Sequence, residues 1–177
     1  KNGIKRVFCS KQPIIQFIRG LLLTLAILIG VYSFTKLGLV QTHSIMSVFP
    51  LIVVALSGPI LNEKIGIQRW LAVVFGFIGI IIILEPSEFI LDFNLFLPVI
   101  GAFVLGFYTV LTRKVSKTDR SETSFFWVAI VGFCIMSIIG PFHWEPIFFK
   151  DWGWMTLLCI LSTAGHFLLI LAYENTE

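Results

Sequence analysis

The chain has 177 residues, of which 57% are hydrophobic and only 13% charged, with a net charge of +3. A soluble domain carries about 25% charged residues, so composition alone sets the membrane class. Nucleic-acid binding would need a basic stripe on a folded surface. Here the basic residues sit in short breaks between apolar runs, so no nucleic-acid partner is expected.

A helix needs about 20 mostly apolar residues to cross about 30 Å of hydrocarbon. Residues 1–13 are polar and basic, and Pro13 suits the start of a helix. The first span is expected at 14–35, the second at 41–61 and the third at 68–85, ending at Glu85-Pro86. Residues 87–92 form a short acidic loop. The fourth span is expected at 93–112, the fifth at 123–142 and the sixth at 153–173. The runs are continuous rather than alternating, and too long for barrel strands of about ten residues. The expected fold is therefore all-α, a polytopic bundle of six transmembrane helices.

Lys and Arg set the orientation. Eleven of them, counting Arg19 at the opening of span one, lie in the N-terminal segment, the 62–69 break and the 113–122 break, against only Lys36 and Lys150 on the other side. The N-terminal segment is expected in the cytoplasm. Trp70, Trp127, Trp144, Trp152 and Trp154 fall near span ends, where interfacial aromatic belts form. Cys9, Cys134 and Cys159 have no metal spacing and read as small packing residues. The chain opens at Lys1 and closes at Glu177 just after an apolar run, with no signal-peptide pattern. A fragment is expected.

Ser33-Phe34 and Ala172-Tyr173 close runs of similar character, 139 positions apart. Such offsets occur in transporters built from two repeats, and this one extrapolates to about ten spans in two inverted halves. The sequence resembles the EamA-type members of the drug/metabolite transporter superfamily. The resemblance rests on Arg19-Gly20 opening a span and on YSFTKLGLVQTHSIMSVFP closing at Pro50. It continues through Asn62-Glu63-Lys64, Arg69-Trp70-Leu71-Ala72 and GFIGIIIILEP, then LTRKVSKTD at 111–119 and GHFLLILAY at 165–173. Asn62 departs from the family pattern, which has Gly before the Glu. The nearest-looking subgroup includes S-adenosylmethionine and riboflavin carriers. The resemblance implies that residues 1–86 close a first five-helix repeat and residues 87–177 open a second, inverted one. It also implies a central cavity to which spans one, two, four and six contribute.

His166 is the ionisable side chain placed deepest in a span, where such groups usually face a cavity or a partner. Ser162, His166 and Tyr173 share one helical face. His43, Ser47 and Pro50 share another on span two, where Pro50 removes a backbone hydrogen bond and can kink the helix. His43 also reads as an interfacial residue. Tyr32 and Tyr108 combine stacking with a hydroxyl, which suits an aromatic or adenine-like solute. The alternative for each is packing. Arg19 reads first as a helix anchor. Gly76, Gly79, Gly101 and Gly106 read as sites of close helix approach.

No Walker-type loop, HExxH, cysteine cluster or Ser-His-Asp set is present, so no enzyme, metal or cofactor is expected. The expected function is secondary transport of a small organic metabolite across a bacterial cytoplasmic membrane by alternating access. The expected partners are that metabolite and the lipid bilayer, with a homodimer left open. The competing reading is a non-transporting membrane scaffold or assembly subunit.

Overall fold

The computed structural model describes residues 8–83 and 93–175. The basic residues Lys1, Lys5 and Arg6, the end of the third span at Glu85-Pro86 and the acidic loop 87–92 lie outside the described residues. Everything described is helix or short connection. The elements are α1 Pro13–Leu37, α2 Leu39–Met46, α3 Phe49–Leu61, α4 Ile67–Ile83, α5 Phe96–Ser116, α6 Ser121–Ile139 and α7 Trp152–Asn175. Short 3₁₀ turns at Phe93–Leu95, Gly140–His143 and Phe149–Asp151 flank α5, α6 and α7.

Five stretches among the described residues are long and apolar enough to cross a membrane: 13–37, 39–61, 93–116, 121–143 and 149–175. They cover five of the six expected spans. The third, α4, has 17 described residues, about 26 Å at 1.5 Å per residue. That is short of the hydrocarbon thickness, and the expected remainder of the span falls outside the described residues.

The second span is not one straight helix. Gly38, at φ 78°, separates α1 from α2. A second break at Ser47–Val48 divides α2 from α3, with Pro50 in the first turn of α3. Pro50 has no N–H to give to the preceding turn, so the ladder cannot run through it. The backbone tightens instead: the Val48 N–H bonds the Ile45 carbonyl oxygen at 3.2 Å. The Ser44 and Ser47 hydroxyls bond the Val40 and Ser44 carbonyl oxygens at 2.9 and 2.6 Å. In hydrocarbon such side chains take over backbone groups freed by a proline.

The chain divides into two compact units, residues 21–111 and residues 1–20 with 112–177. Each draws on both sides of residue 86. In the first unit, Val48, Ile52 and Ala102 form a buried cluster on which Phe49 and Leu56 pack. Gly106 lets α5 approach α3 closely: a Cβ there would lie 2.9 Å from Ile52 Cγ2. In the second unit, Gly20 does the same for α1 and α6, since a Cβ there would lie 2.5 Å from Val131 Cβ. Among the described residues, a Cβ at Gly79 would meet nothing within 4 Å, so no close helix approach is seen there. Large apolar side chains such as Phe75, Ile82, Phe133, Ile138, Leu158 and Leu161 are exposed. On spanning helices that surface suits lipid.

Asn62 ends α3 in the left-handed conformation, φ 55° and ψ 34°. Asn is one of the few non-glycine residues that visits this region readily, which explains how it stands where the family pattern has Gly. Asn62→Gly should leave stability within about 0.5 kcal/mol, whereas Asn62→Val should cost about 1–2 kcal/mol. Thermal unfolding of the detergent-solubilised variants checks this, and equal melting of the two would contradict the turn assignment.

Candidate functional site

The most polar site in the unit formed by residues 8–20 and 112–175 starts from two residues of α1. Gln16 and Arg19 lie three apart and so on one helical face. Both have no exposed surface. A buried ion costs several kcal/mol unless its hydrogen bonds are met, and here neighbouring side chains meet those of Arg19 Nε and Nη1. Arg19 Nε donates to Thr112 Oγ1 on α5 at 3.0 Å, and Arg19 Nη1 donates to Gln16 Oε1. Gln16 Nε2 donates to Asp119 Oδ2 at 2.9 Å and to Ser124 Oγ on α6 at 3.0 Å. The Gln16 amide thus stands between the Arg19 cation and the Asp119 anion.

Asp119 lies in the α5–α6 connection and is 7% exposed. It also accepts the Lys11 backbone N–H at 2.9 Å and the Ser10 hydroxyl. Beside it, Gln12 Nε2 donates to Thr118 Oγ1 at 3.2 Å. A second carboxylate ties the same unit. Glu174, near the end of α7, accepts the Ser121 N–H at 2.9 Å and the Ser121 hydroxyl. It satisfies the start of α6, where Arg120 in the N-cap position makes no side-chain cap. A negative group is favourable at that helix end. The Arg120–Glu122 ion pair, at 3.5 Å between exposed side chains, adds little.

Of the stripe expected on the sixth span, His166 is half-buried, with its ring 6.4 Å from Phe125 and within electrostatic reach of Arg19. Tyr173 is half-buried, and its carbonyl oxygen lies 3.2 Å from Ser116 Oγ. Ser162 is exposed. None of the three lines the groove of this unit described next. An open groove of about 800 Å³ between α6 and α7 is lined by neighbours of theirs, among them Phe125, Phe126, Ile160 and Phe167.

The unit of residues 21–111 holds a cavity of about 480 Å³. That size suits a small organic molecule. Ala26, Gly30 and Phe34 of α1 line one side, His43, Met46, Ser47 and Phe49 the other, and Leu105 of α5 closes it. The kink in the second span presents His43 and Ser47 to this space. The His43 and Phe34 rings stand 5.0 Å apart, tilted by 44°. Pro50, which shares their face in the sequence, shapes the kink but is exposed and does not line the cavity. Tyr108 is buried in packing, 1% exposed. Tyr32 is half-exposed and carries Lys36 Nζ 5.5 Å from its ring centroid.

Sequence reasoning missed Gln16, Thr112, Asp119 and Ser124, and read Arg19 as an anchor. The available signal was the spacing of Gln16 and Arg19, two strongly polar side chains on one face of an otherwise apolar run. Among the described residues, no group of three or more His, Cys, Asp or Glu side chains could hold a metal ion.

The EamA-like transporter family matches residues 4–85 and 93–177. This chain belongs to the EamA-like transporter family. Membership agrees with the apolar helices in making it a multi-pass membrane protein. It is 28% identical over 173 residues to the S-adenosylmethionine uptake transporter of Rickettsia prowazekii, covering 96% of this chain and 55% of that protein. It is 36% identical over 105 residues to the riboflavin transporter of Vibrio cholerae, covering 58% of this chain and 32% of that protein. An uncharacterized transporter of Helicobacter pylori is 27% identical over 159 residues, 85% of this chain and 53% of that protein. The chain spans about half the length of the S-adenosylmethionine transporters it matches. No solved structure matches it significantly.

Burial pushes the Asp119 carboxyl up, but hydrogen bonds from Ser10, Gln16 and the Lys11 backbone, with the Lys11 charge, outweigh it and hold the group below its ordinary 3.8. A depressed carboxylate stabilises the fold fully above that value and loses its contribution as pH falls through the lower, folded one. Above about pH 5 the native protein should exceed Asp119→Asn in stability by about 1–3 kcal/mol. Below about pH 4 the gap should close. Melting temperature against pH checks it, and a gap unchanged down to the most acid point would contradict the assignment.

Proposed function

We propose that this chain is part of a secondary transporter carrying a small organic metabolite across the cytoplasmic membrane of a bacterium. The observation that carries the reading is the 480 Å³ cavity, in which Phe34, His43, Met46, Ser47 and Phe49 meet beside a proline kink, in a chain of a transporter family. Broken helices beside a cavity are where membrane transporters bind their solutes. Residues 1–86 then close one repeat and residues 87–177 open a second, inverted one. Alternating access follows from rocking of the two inverted halves around the site. The Lys and Arg bias puts the N-terminal segment in the cytoplasm.

The lining favours a flat, partly polar solute. Phe34, Phe49 and the His43 ring offer stacking surfaces, Met46 a polarizable contact, and Ser47 a hydroxyl. S-adenosylmethionine and riboflavin, the solutes named for the relatives, both contain planar nitrogen heterocycles, and solutes of that class are the proposal for this chain. His166 and Tyr173 sit in the other unit, and a role for them on the solute path remains part of the proposal, with Ser162 on the same face.

The test is uptake and efflux of labelled S-adenosylmethionine and riboflavin in proteoliposomes holding the full-length protein. Saturable flux of at least one is expected. Loss of one stacking ring is worth about 0.5–1.5 kcal/mol, so Phe34→Ala and His43→Ala should each lower flux at limiting solute by about 2- to 12-fold. His166→Ala separates a group on the solute path from one that only packs. No flux of either solute would reject the solute class. Flux indifferent to both Phe34→Ala and His43→Ala would move the site elsewhere.

A further inference from the structure

The polar network at the start of α1 has a design that simple anchoring does not require. A helix start is anchored well enough by Lys or Arg side chains that reach the lipid headgroups. Here Arg19 and Gln16 have no exposed surface, and their partners come from three other places: Thr112 on α5, Asp119 on the α5–α6 connection and Ser124 on α6. Every polar atom of the Gln16 amide is engaged: Oε1 by Arg19, and the two Nε2 hydrogens by Asp119 and Ser124. One neutral side chain thus joins a buried cation to a buried anion without letting them pair directly.

That arrangement has a physical consequence. A direct buried Arg–Asp ion pair resists breaking, because each partner is left as an uncompensated charge. An amide bridge can exchange its bonds with water one at a time: those to Arg19 and Asp119 are charge-assisted, and the one to Ser124 joins two neutral groups. The network is therefore closed by several separate bonds rather than by one direct ion pair. It lies at the end of the unit that carries the basic residues Arg113, Lys114, Lys117 and Arg120, where the backbone of α5 gives way to a loop. Val115 has no exposed surface, and its carbonyl oxygen accepts the Asp119 N–H at 2.9 Å.

We propose that Gln16, with Arg19, Thr112, Asp119 and Ser124, forms a latch that closes this end of the unit and opens to water during each transport cycle. Gln16 is its positioning residue. The latch rests on the transport reading above, and the test separates the two. Thr118 and Gln12, at the rim, provide the handle, because their side chains meet at 3.2 Å outside the buried part.

The experiment uses the full-length protein in proteoliposomes, with Cys9, Cys134 and Cys159 replaced and Gln12→Cys with Thr118→Cys introduced. A short bifunctional methanethiosulfonate then staples the residue just before α1 to the α5–α6 connection. A static tether made permanent would leave riboflavin and S-adenosylmethionine flux unchanged. A latch that must open predicts at least a ten-fold loss, reversed by reduction. Flux that persists through a complete staple overturns the proposal. Val115→Cys in the same unstapled cysteine-free background gives a readout independent of flux. Its modification by a membrane-impermeant maleimide should rise at least ten-fold when Gln16→Leu is added. In the pair-bearing background, the staple should return it to the starting rate. Equal rates with and without Gln16→Leu overturn the latch. If the reporter responds as expected but neither solute moves, the latch stands and the solute proposal fails.

Discussion

A guanidinium cannot sit inside an apolar bundle unless its hydrogen bonds and charge are answered nearby. Arg19 is such a group, without exposed surface near the beginning of a 25-residue helix. The answer involves almost every element of its unit: Gln16 on its own helix, Thr112 on α5, Asp119 on the following connection and Ser124 on α6. Because Asp119 also holds the backbone just before α1, one carboxylate fixes both the register of that helix and the path of the loop. Glu174 repeats the device for α6 and α7. Apolar contact does not distinguish one helix neighbour from another in lipid, whose tails are as apolar as leucine. Polar partners and glycine contacts such as Gly20 against Val131 do.

The other unit is organised by a different constraint. Pro50 cannot continue the ladder, so the second span breaks at Ser47–Val48, and serine hydroxyls turn back onto nearby carbonyl oxygens. The break angles α2 so that His43 and Ser47 face the cavity, while Gly30 and Ala26 keep the facing wall of α1 low. The same proline that costs a backbone bond therefore provides the space. The function proposed for the chain depends on that space, and the latch depends on the polar network. The two features rest on separate observations in separate units.

The fold class was legible because bilayer spans are long and continuous. The start of α1 at Pro13 and the near coincidence of α5, α6 and α7 with the expected runs follow from that alone. The expected end of the third span lies outside the described residues. Within the candidate site, His43 and Ser47 could be found by placing them on one face of the kinked span. Pro50 shares that face on paper, yet the kink it creates turns it away from the cavity. The Gln16–Asp119 bond links positions 103 apart in sequence, and no local pattern encodes such a pairing. Only the spacing of Gln16 and Arg19 hinted at a buried polar face.

The most direct test of this account is a double-mutant cycle between Gln16 and Asp119, read as unfolding free energy in detergent at neutral pH. If Gln16 bridges the buried cation to the buried anion, Gln16→Leu and Asp119→Asn will be non-additive, with a coupling of about 1–3 kcal/mol. Costs that add within about 0.5 kcal/mol would mean that the two side chains act independently. The network would then not be the element that holds this unit together.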